Sequence, residues 1–195
     1  MKSSTTSPRC TGCRRALAVL LLLLLTLLLP SCGASPQHGY FDYLRQSAQA
    51  EIAGKLDGMA FSARLSFEPA AQTEQLPAFY LQFHTPEALA GVTVRYDAAT
   101  QQYEASLGSL CMQGDFSALA LPCTRLLQQS AVSNATRQQR EQDGRQVSVL
   151  VVRTQDGYTR VLDAASGIPL SLSGTADGRA IELLIKDWVM LPASP

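Results

Sequence analysis

Met59-Ala60-Phe61-Ser62-Ala63-Arg64-Leu65-Ser66-Phe67 alternates without a slip: Met59, Phe61, Ala63, Leu65 and Phe67 on one side, Ala60, Ser62, Arg64 and Ser66 on the other. A period of two puts these sets on opposite faces of a strand, one apolar and one wet. Phe79, Leu81 and Phe83 alternate with Tyr80, Gln82 and His84 in the same way, and Val92, Val94 and Tyr96 with Thr93, Arg95 and Asp97. Val147 to Val152 is apolar on both sides and is followed by strand-like runs at Tyr158 to Asp163, Ile168 to Ser173 and Ala180 to Asp187. A continuous run among alternating ones predicts a central strand covered on both faces.

The punctuation between these runs predicts how they connect. Asp57-Gly58, Asp143-Gly144, Asp156-Gly157 and Asp177-Gly178 each separate two runs, and Ser166-Gly167 marks a further turn. Asp-Gly favours a two-residue hairpin in which both turn residues take positive φ. Hairpin after hairpin gives an antiparallel meander, here of roughly eight to ten strands. No internal repeat or low-complexity tract interrupts the pattern.

Something must cover the apolar face. Phe116, Leu119, Ala120, Cys123, Leu126 and Leu127 fall on one helical stripe after Asp115, an N-cap candidate, with Pro122 expected to kink the segment or to open a second short helix. Tyr40 to Ala50 carries Phe41, Leu44 and Ala48 at helical spacing and predicts a short amphipathic helix. Thr85-Pro86-Glu87-Ala88-Leu89-Ala90-Gly91 predicts a single helical turn linking two strands. The expected class is therefore α+β: a single strongly curved antiparallel sheet, a half-barrel, with a few short helices on its concave face.

The beginning of the chain speaks of location. Lys2, Arg9, Arg14 and Arg15 precede the leucine-rich run Ala16 to Leu29, which leads into Pro30-Ser31-Cys32-Gly33. A basic leader, a short apolar core and a small residue before a cysteine read as an export signal of the lipoprotein type. The 14 residues of that run would extend about 21 Å as a helix, short of the roughly 30 Å hydrocarbon layer. Leu29 at minus three and Ser31 at minus one resemble a bacterial lipobox, with Cys32 the lipidated residue and palmitate-type chains its anchor. Pro30 departs from that pattern, so an ordinary cleaved signal and an uncleaved anchor stand as the other readings. The expected organisation is a signal peptide over 1–31, the lipidated cysteine and a flexible tether over 32–39, the folded domain over 40–190 and a tail over 191–195. The location expected is the extracytoplasmic face of a bacterial cell membrane. Asn134-Ala135-Thr136 fits a glycan acceptor, but with a bacterial leader it reads as coincidence.

Charge and chemistry exclude more than they select. All 16 acidic residues follow the leader whereas four of the 16 basic ones lie within it, so the mature chain is mildly acidic and suits no nucleic acid. Arg137, Arg140 and Arg145 form the one basic cluster and read as a solvated hairpin. Neither a phosphate loop nor a Gly-x-Ser-x-Gly elbow is present. His38 lies in the tether, and His84 sits on a wet strand end with no sequence neighbour to make a nucleophile pair. No catalytic, cofactor-binding or metal-binding residue is expected, and no enzyme. Cys10 and Cys13 belong to the leader, which leaves Cys111 and Cys123 in the domain, either bridged or reduced and packed as small apolar groups. Trp188 is expected to cap the apolar face of the last strand.

The order of elements resembles the LolA-type half-barrel of lipoprotein carriers, mycobacterial lipid-handling lipoproteins, RseB-like sensor regulators and GerS-like germination lipoproteins. Phe79 to Val94, a strand running through the Pro86 turn into another strand, carries part of the likeness. Asp163-Ala164-Ala165-Ser166-Gly167-Ile168-Pro169-Leu170 carries the rest, being similar to the Asp-x-x-Thr/Ser-Gly-x-Pro-Leu hairpin of such folds. The resemblance implies a concave apolar face that accepts acyl chains, with Phe61, Leu65, Phe79, Leu81, Phe83, Val94, Leu119, Leu126 and Leu127 as the cavity wall. The same residues read equally as a solid core. The partners it implies are the membrane through the lipid anchor, a lipid or acylated protein as ligand, and an envelope protein. The alternative function is a structural or regulatory lipoprotein that docks a protein without binding lipid.

Overall fold

The computed structural model describes residues 39–70, 72, 75–142, 144–176 and 178–192. The leader, Cys32 and all of the tether but Gly39 lie outside them. Eleven strands follow in chain order: β1 (Ala48–Leu56), β2 (Met59–Phe67), β3 (Phe79–Thr85), β4 (Thr93–Asp97), β5 (Gln102–Leu107) and β6 (Leu110–Gln113), then β7 (Val132–Gln142), β8 (Arg145–Thr154), β9 (Thr159–Asp163), β10 (Pro169–Ala176) and β11 (Arg179–Met190). Between β6 and β7 lies one α-helix, α1 (Ser117–Leu127). The strands form a single antiparallel sheet in the order β6-β5-β4-β3-β2-β1-β11-β10-β9-β8-β7, open between β6 and β7. This is the expected half-barrel, with one strand more than the upper expectation.

The last strand closes on the first. Ile52 of β1 stands opposite Ile185 of β11 and Ala63 of β2, so the first and last strands meet in mid-sheet. Backbone proximity there depends on Gly54, since a Cβ at that position would stand 2.2 Å from the carbonyl oxygen of Glu182.

One face carries the core. Ala48, Ala50 and Ile52 of β1, Phe61, Ala63, Leu65 and Phe67 of β2, and Phe79, Leu81 and Phe83 of β3 are all buried in one cluster with Val94, Ala105, Leu126 and Leu127. Helix α1 covers this inner face.

Several local expectations change. The Tyr40–Ala50 helix is only a 3-10 turn over Asp42–Arg45, and Ala48 already begins β1. Ala48, Ala50 and Ile52 are buried while Gln49, Glu51 and Ala53 are less so, and pairing on both sides selects that period of two over the helical one. Pro122 neither ends α1 nor opens another helix, but lies buried inside one continuous helix. The run Val147 to Val152 belongs to β8, next to the edge strand β7 rather than central. It is covered on both faces all the same: Val152 joins the main core, whereas Val149 and Val151 pack with Val161 in a second, smaller cluster. The expected helical turn after Pro86 is present as a 3-10 turn over Glu87–Leu89.

Turn chemistry divides too. Asp57 and Gly58 both take positive φ (51° and 82°), as a two-residue Asp-Gly hairpin requires. At Asp156-Gly157 the left-handed residue is the glycine alone, with φ 89°. Two further turns share one device: Asp163 Oδ1 accepts from the amides of Ala165 (3.0 Å) and Ser166 (2.7 Å), and Asp97 Oδ1 accepts from those of Ala99 (2.9 Å) and Thr100 (3.0 Å). These bonds, led by Ser166 in one turn and Thr100 in the other, hold both carboxyls below the ordinary aspartate range.

Candidate functional site

The nine expected wall residues do converge. Leu65, Phe79, Leu81, Val94, Leu126 and Leu127 are fully buried, Phe61 and Phe83 nearly so, and Leu119 packs against them from α1. Aromatic rings finish the filling. Phe79 stacks on Tyr96 at 5.5 Å, Phe61 meets Phe83 edge-on at 6.0 Å, and Trp188 lies 5.7 Å from both Tyr43 and Phe67. Trp188 reaches this face through a register shift between β1 and β11 next to Asp187, whose φ is 48°. The expected cap on the last strand is therefore an inner-face plug.

Helix α1 is locked at its C-terminal end. A helix leaves its last carbonyls without helical partners, and no glycine follows this one. Tyr43 donates its hydroxyl to the Leu126 carbonyl at 2.8 Å, and Arg160 Nη2 donates to the carbonyls of Arg125 (2.6 Å) and Gln128 (2.7 Å). Arg160 is 1% exposed and its guanidinium lies 4.8 Å from the centre of the Phe41 ring. A buried cation at this end complements the helix dipole. Burial also pushes the Tyr43 phenol up to about 12. A strand arginine spaced by two from Leu162 carries no mark in the sequence that separates it from an outward-facing one.

Open pockets bordered by described residues include ones of about 470, 760 and 460 Å³. Of the nine wall residues only Phe61 borders one of them, the 470 Å³ pocket. Most of that pocket's lining comes from the other face of the sheet: Ala53, Lys55, Ala60, Ser171, Ser173, Glu182 and Leu184 alternate with the buried positions of β1, β2, β10 and β11. The 760 Å³ pocket adjoins it through Ser171 and Leu184 and runs toward Val149, Val161, Arg140 and Lys186. The openings thus form one groove across the outer face, apolar where Ala53, Ala60 and Leu184 meet and charged toward β7. Leu184 is 48% exposed at its centre. The third pocket lies beside α1, between Tyr103, Thr124, Arg125 and Arg179.

The polar candidates are placed as follows. His84 does have a carboxylate neighbour: Glu51 reaches it at 3.4 Å while accepting from Arg64 Nε at 2.7 Å, a contact across three strands that sequence separation concealed. All three side chains are exposed or half-buried on the wet face. Cys111 and Cys123 are both free, so the bridged alternative is not the one observed. Cys111 is exposed and donates to the Glu104 carboxylate, which raises its thiol, and Cys123 is buried in the core, where burial pushes its thiol up. Among the described residues no group of His, Cys, Asp and Glu is placed to hold a metal ion. Arg137, Arg140 and Arg145 lie exposed on the β7–β8 hairpin.

No protein-family profile matches the chain, and none of the curated proteins does. Solved structures with a similar fold do exist. The lipoprotein LppX of Mycobacterium tuberculosis is 16% identical over 80% of this chain and 94% of its own, with a TM-score of 0.47. A LolA superfamily protein of Nitrosomonas europaea is 9% identical over 83% of this chain and 94% of its own, with a TM-score of 0.38. MucB in the MucA/MucB complex of Pseudomonas aeruginosa is 16% identical over 83% of this chain and 58% of that chain, with a TM-score of 0.45.

Proposed function

We propose that this chain is a non-enzymatic binding module that works outside the cytoplasmic membrane, tethered there through a lipidated Cys32 after removal of residues 1–31, and that it docks another envelope protein. Residues 32–39 serve as the tether, 40–190 as the docking domain and 191–195 as a tail. The observation that carries the docking reading is the outer-face groove, apolar at Ala53, Ala60 and Leu184 and about 470 Å³ in volume, opposite an inner face whose side chains pack into one core. A pocket of that size lies within the usual range for ligand sites, about 300 to 1,000 Å³. A second reading, an acyl chain laid in the same groove, is favoured by its apolar centre.

A photo-cross-linking residue at Leu184, in the full chain expressed in its own envelope, separates these readings. A protein adduct that disappears when Ala60→Lys is added supports docking. A lipid-sized adduct, with lipid recovered by organic extraction and mass spectrometry, moves the function to acyl-chain binding, and no adduct of either kind removes the groove from consideration. Separately, Cys32→Ala should free the protein from membranes or block its maturation; unchanged processing with membrane retention would refute the tether.

A further inference from the structure

The two edges of the sheet are built differently. β7 is eleven residues long and carries Arg137, Arg140 and Glu141, the kind of charged edge that resists pairing with another chain. β6 is four residues, Leu110-Cys111-Met112-Gln113, all exposed and none charged. Among the described residues it pairs with β5 alone. Leu110 is 58% exposed and Met112 47%, and both belong to the inner face because Met112 stands opposite the buried Ala105.

The turn determines which backbone groups of β6 are left over. Gly108-Ser109 joins Leu107 to Leu110 with Gly108 at φ 59°, a two-residue hairpin that makes Leu107 and Leu110 a hydrogen-bonded pair. Alternation then turns the N–H and C=O of Cys111 away from β5, to the open edge.

We propose that β6 pairs antiparallel with β6 of a second copy, Cys111 opposite Cys111, joining two half-barrels into one continuous sheet. In this register every exposed apolar side chain of the edge meets another. A two-fold axis at Cys111 sets Leu110 of each copy opposite Met112 of the other, so the exposed apolar side chains cover one another twice. Moving the axis to Met112 would leave Leu110 facing Gly114. The outward Cys111 groups satisfy each other in the centred arrangement, and the absence of charge on β6 removes the repulsion that protects β7. This inference rests on β6 and not on the outer groove.

The register has a built-in reporter. Directly opposite residues in a hydrogen-bonded antiparallel pair have Cα atoms about 5.5 Å apart, within the range a disulfide spans. Diamide added in detergent to the full chain with Cys10, Cys13 and Cys32 replaced by serine should therefore join the two Cys111 side chains: each thiol loses a proton and an electron, one S–S bond forms, and diamide is reduced to its hydrazine. A reductant-sensitive species of twice the chain mass is expected, absent from Cys111→Ser and retained in Cys123→Ser. Sedimentation without oxidant should show a dimer, with association roughly tenfold weaker or lost in Leu110→Lys and Met112→Lys, whose side chains are exposed and whose circular dichroism should match the parent. A monomer at every concentration, a dimer indifferent to both lysine variants, a cross-link that survives Cys111→Ser, or open-ended assembly indicating β6–β7 pairing would each overturn the proposal.

Discussion

The inner and outer faces of this sheet are made by the same strands, yet one is filled and the other grooved. On the inner face Phe61, Phe67, Phe79, Tyr96 and Trp188 project toward one another and α1 covers them. On the outer face β1, β2 and β10 carry the small side chains Ala53, Ala60, Ser171 and Ser173, which border a pocket of about 470 Å³. Side-chain volume at alternating positions, rather than curvature alone, decides where a half-barrel can accept something. The difference teaches that alternate positions of one strand can feed a packed core on one side and border an opening on the other.

Substitutions read that contrast directly. Leu81→Ala, at a fully buried inner position, should cost about 2 to 5 kcal/mol in urea denaturation; a loss below about 1 kcal/mol would mean the inner face is loosely filled and the contrast is false. Arg160→Ala leaves the Arg125 and Gln128 carbonyls without their donor and should cost about 2 kcal/mol, with faster hydrogen exchange over 117–127 as the local readout. Were exchange there unchanged, α1 would be held by packing alone.

Smaller effects test the turns and the groove. Asp163 has a folded pKa lowered by the Ser166 and Ala165 amides, so its contribution is present above the unfolded value of about 3.9 and disappears as pH falls through the folded one. Asp163→Asn should therefore be less stable than the parent at neutral pH, by a fraction of a kcal/mol, and the gap should close below about pH 4. A gap that widens in acid would mean the carboxylate is not the stabilising form. Leu184→Lys, half-exposed in the groove, should change stability by less than about 0.5 kcal/mol while weakening whatever the outer face binds. A large loss of stability would show Leu184 to be core and close the groove as a site.

Much of this was legible in the chain. Alternation over Met59–Phe67, Phe79–His84 and Val92–Asp97 gave strands buried as expected at Phe61 to Phe67, Phe79 to Phe83, Val94 and Tyr96, but Met59 at the hairpin end is exposed and Val92 precedes its strand half-buried. The Ala48–Leu56 strand was not legible, because its small residues also fit a helical spacing and only pairing with both β2 and β11 separates the two. The Asp97-Ala98-Ala99-Thr100 turn repeats the Asp163-Ala164-Ala165-Ser166 pattern and carried a signal that reading for Asp-Gly alone passes over.

The sequence by itself determined the antiparallel sheet, the helix over it and which side chains line the inner face, because periodicity and turn residues act over a few positions. Tertiary structure alone decided that β11 closes on β1, that Tyr43 and Arg160 hold the end of α1, that Glu51 reaches His84, and that β6 ends the sheet uncharged. Each joins residues far apart in the chain, and such contacts depend on how strands order themselves across the sheet, which local patterns do not encode.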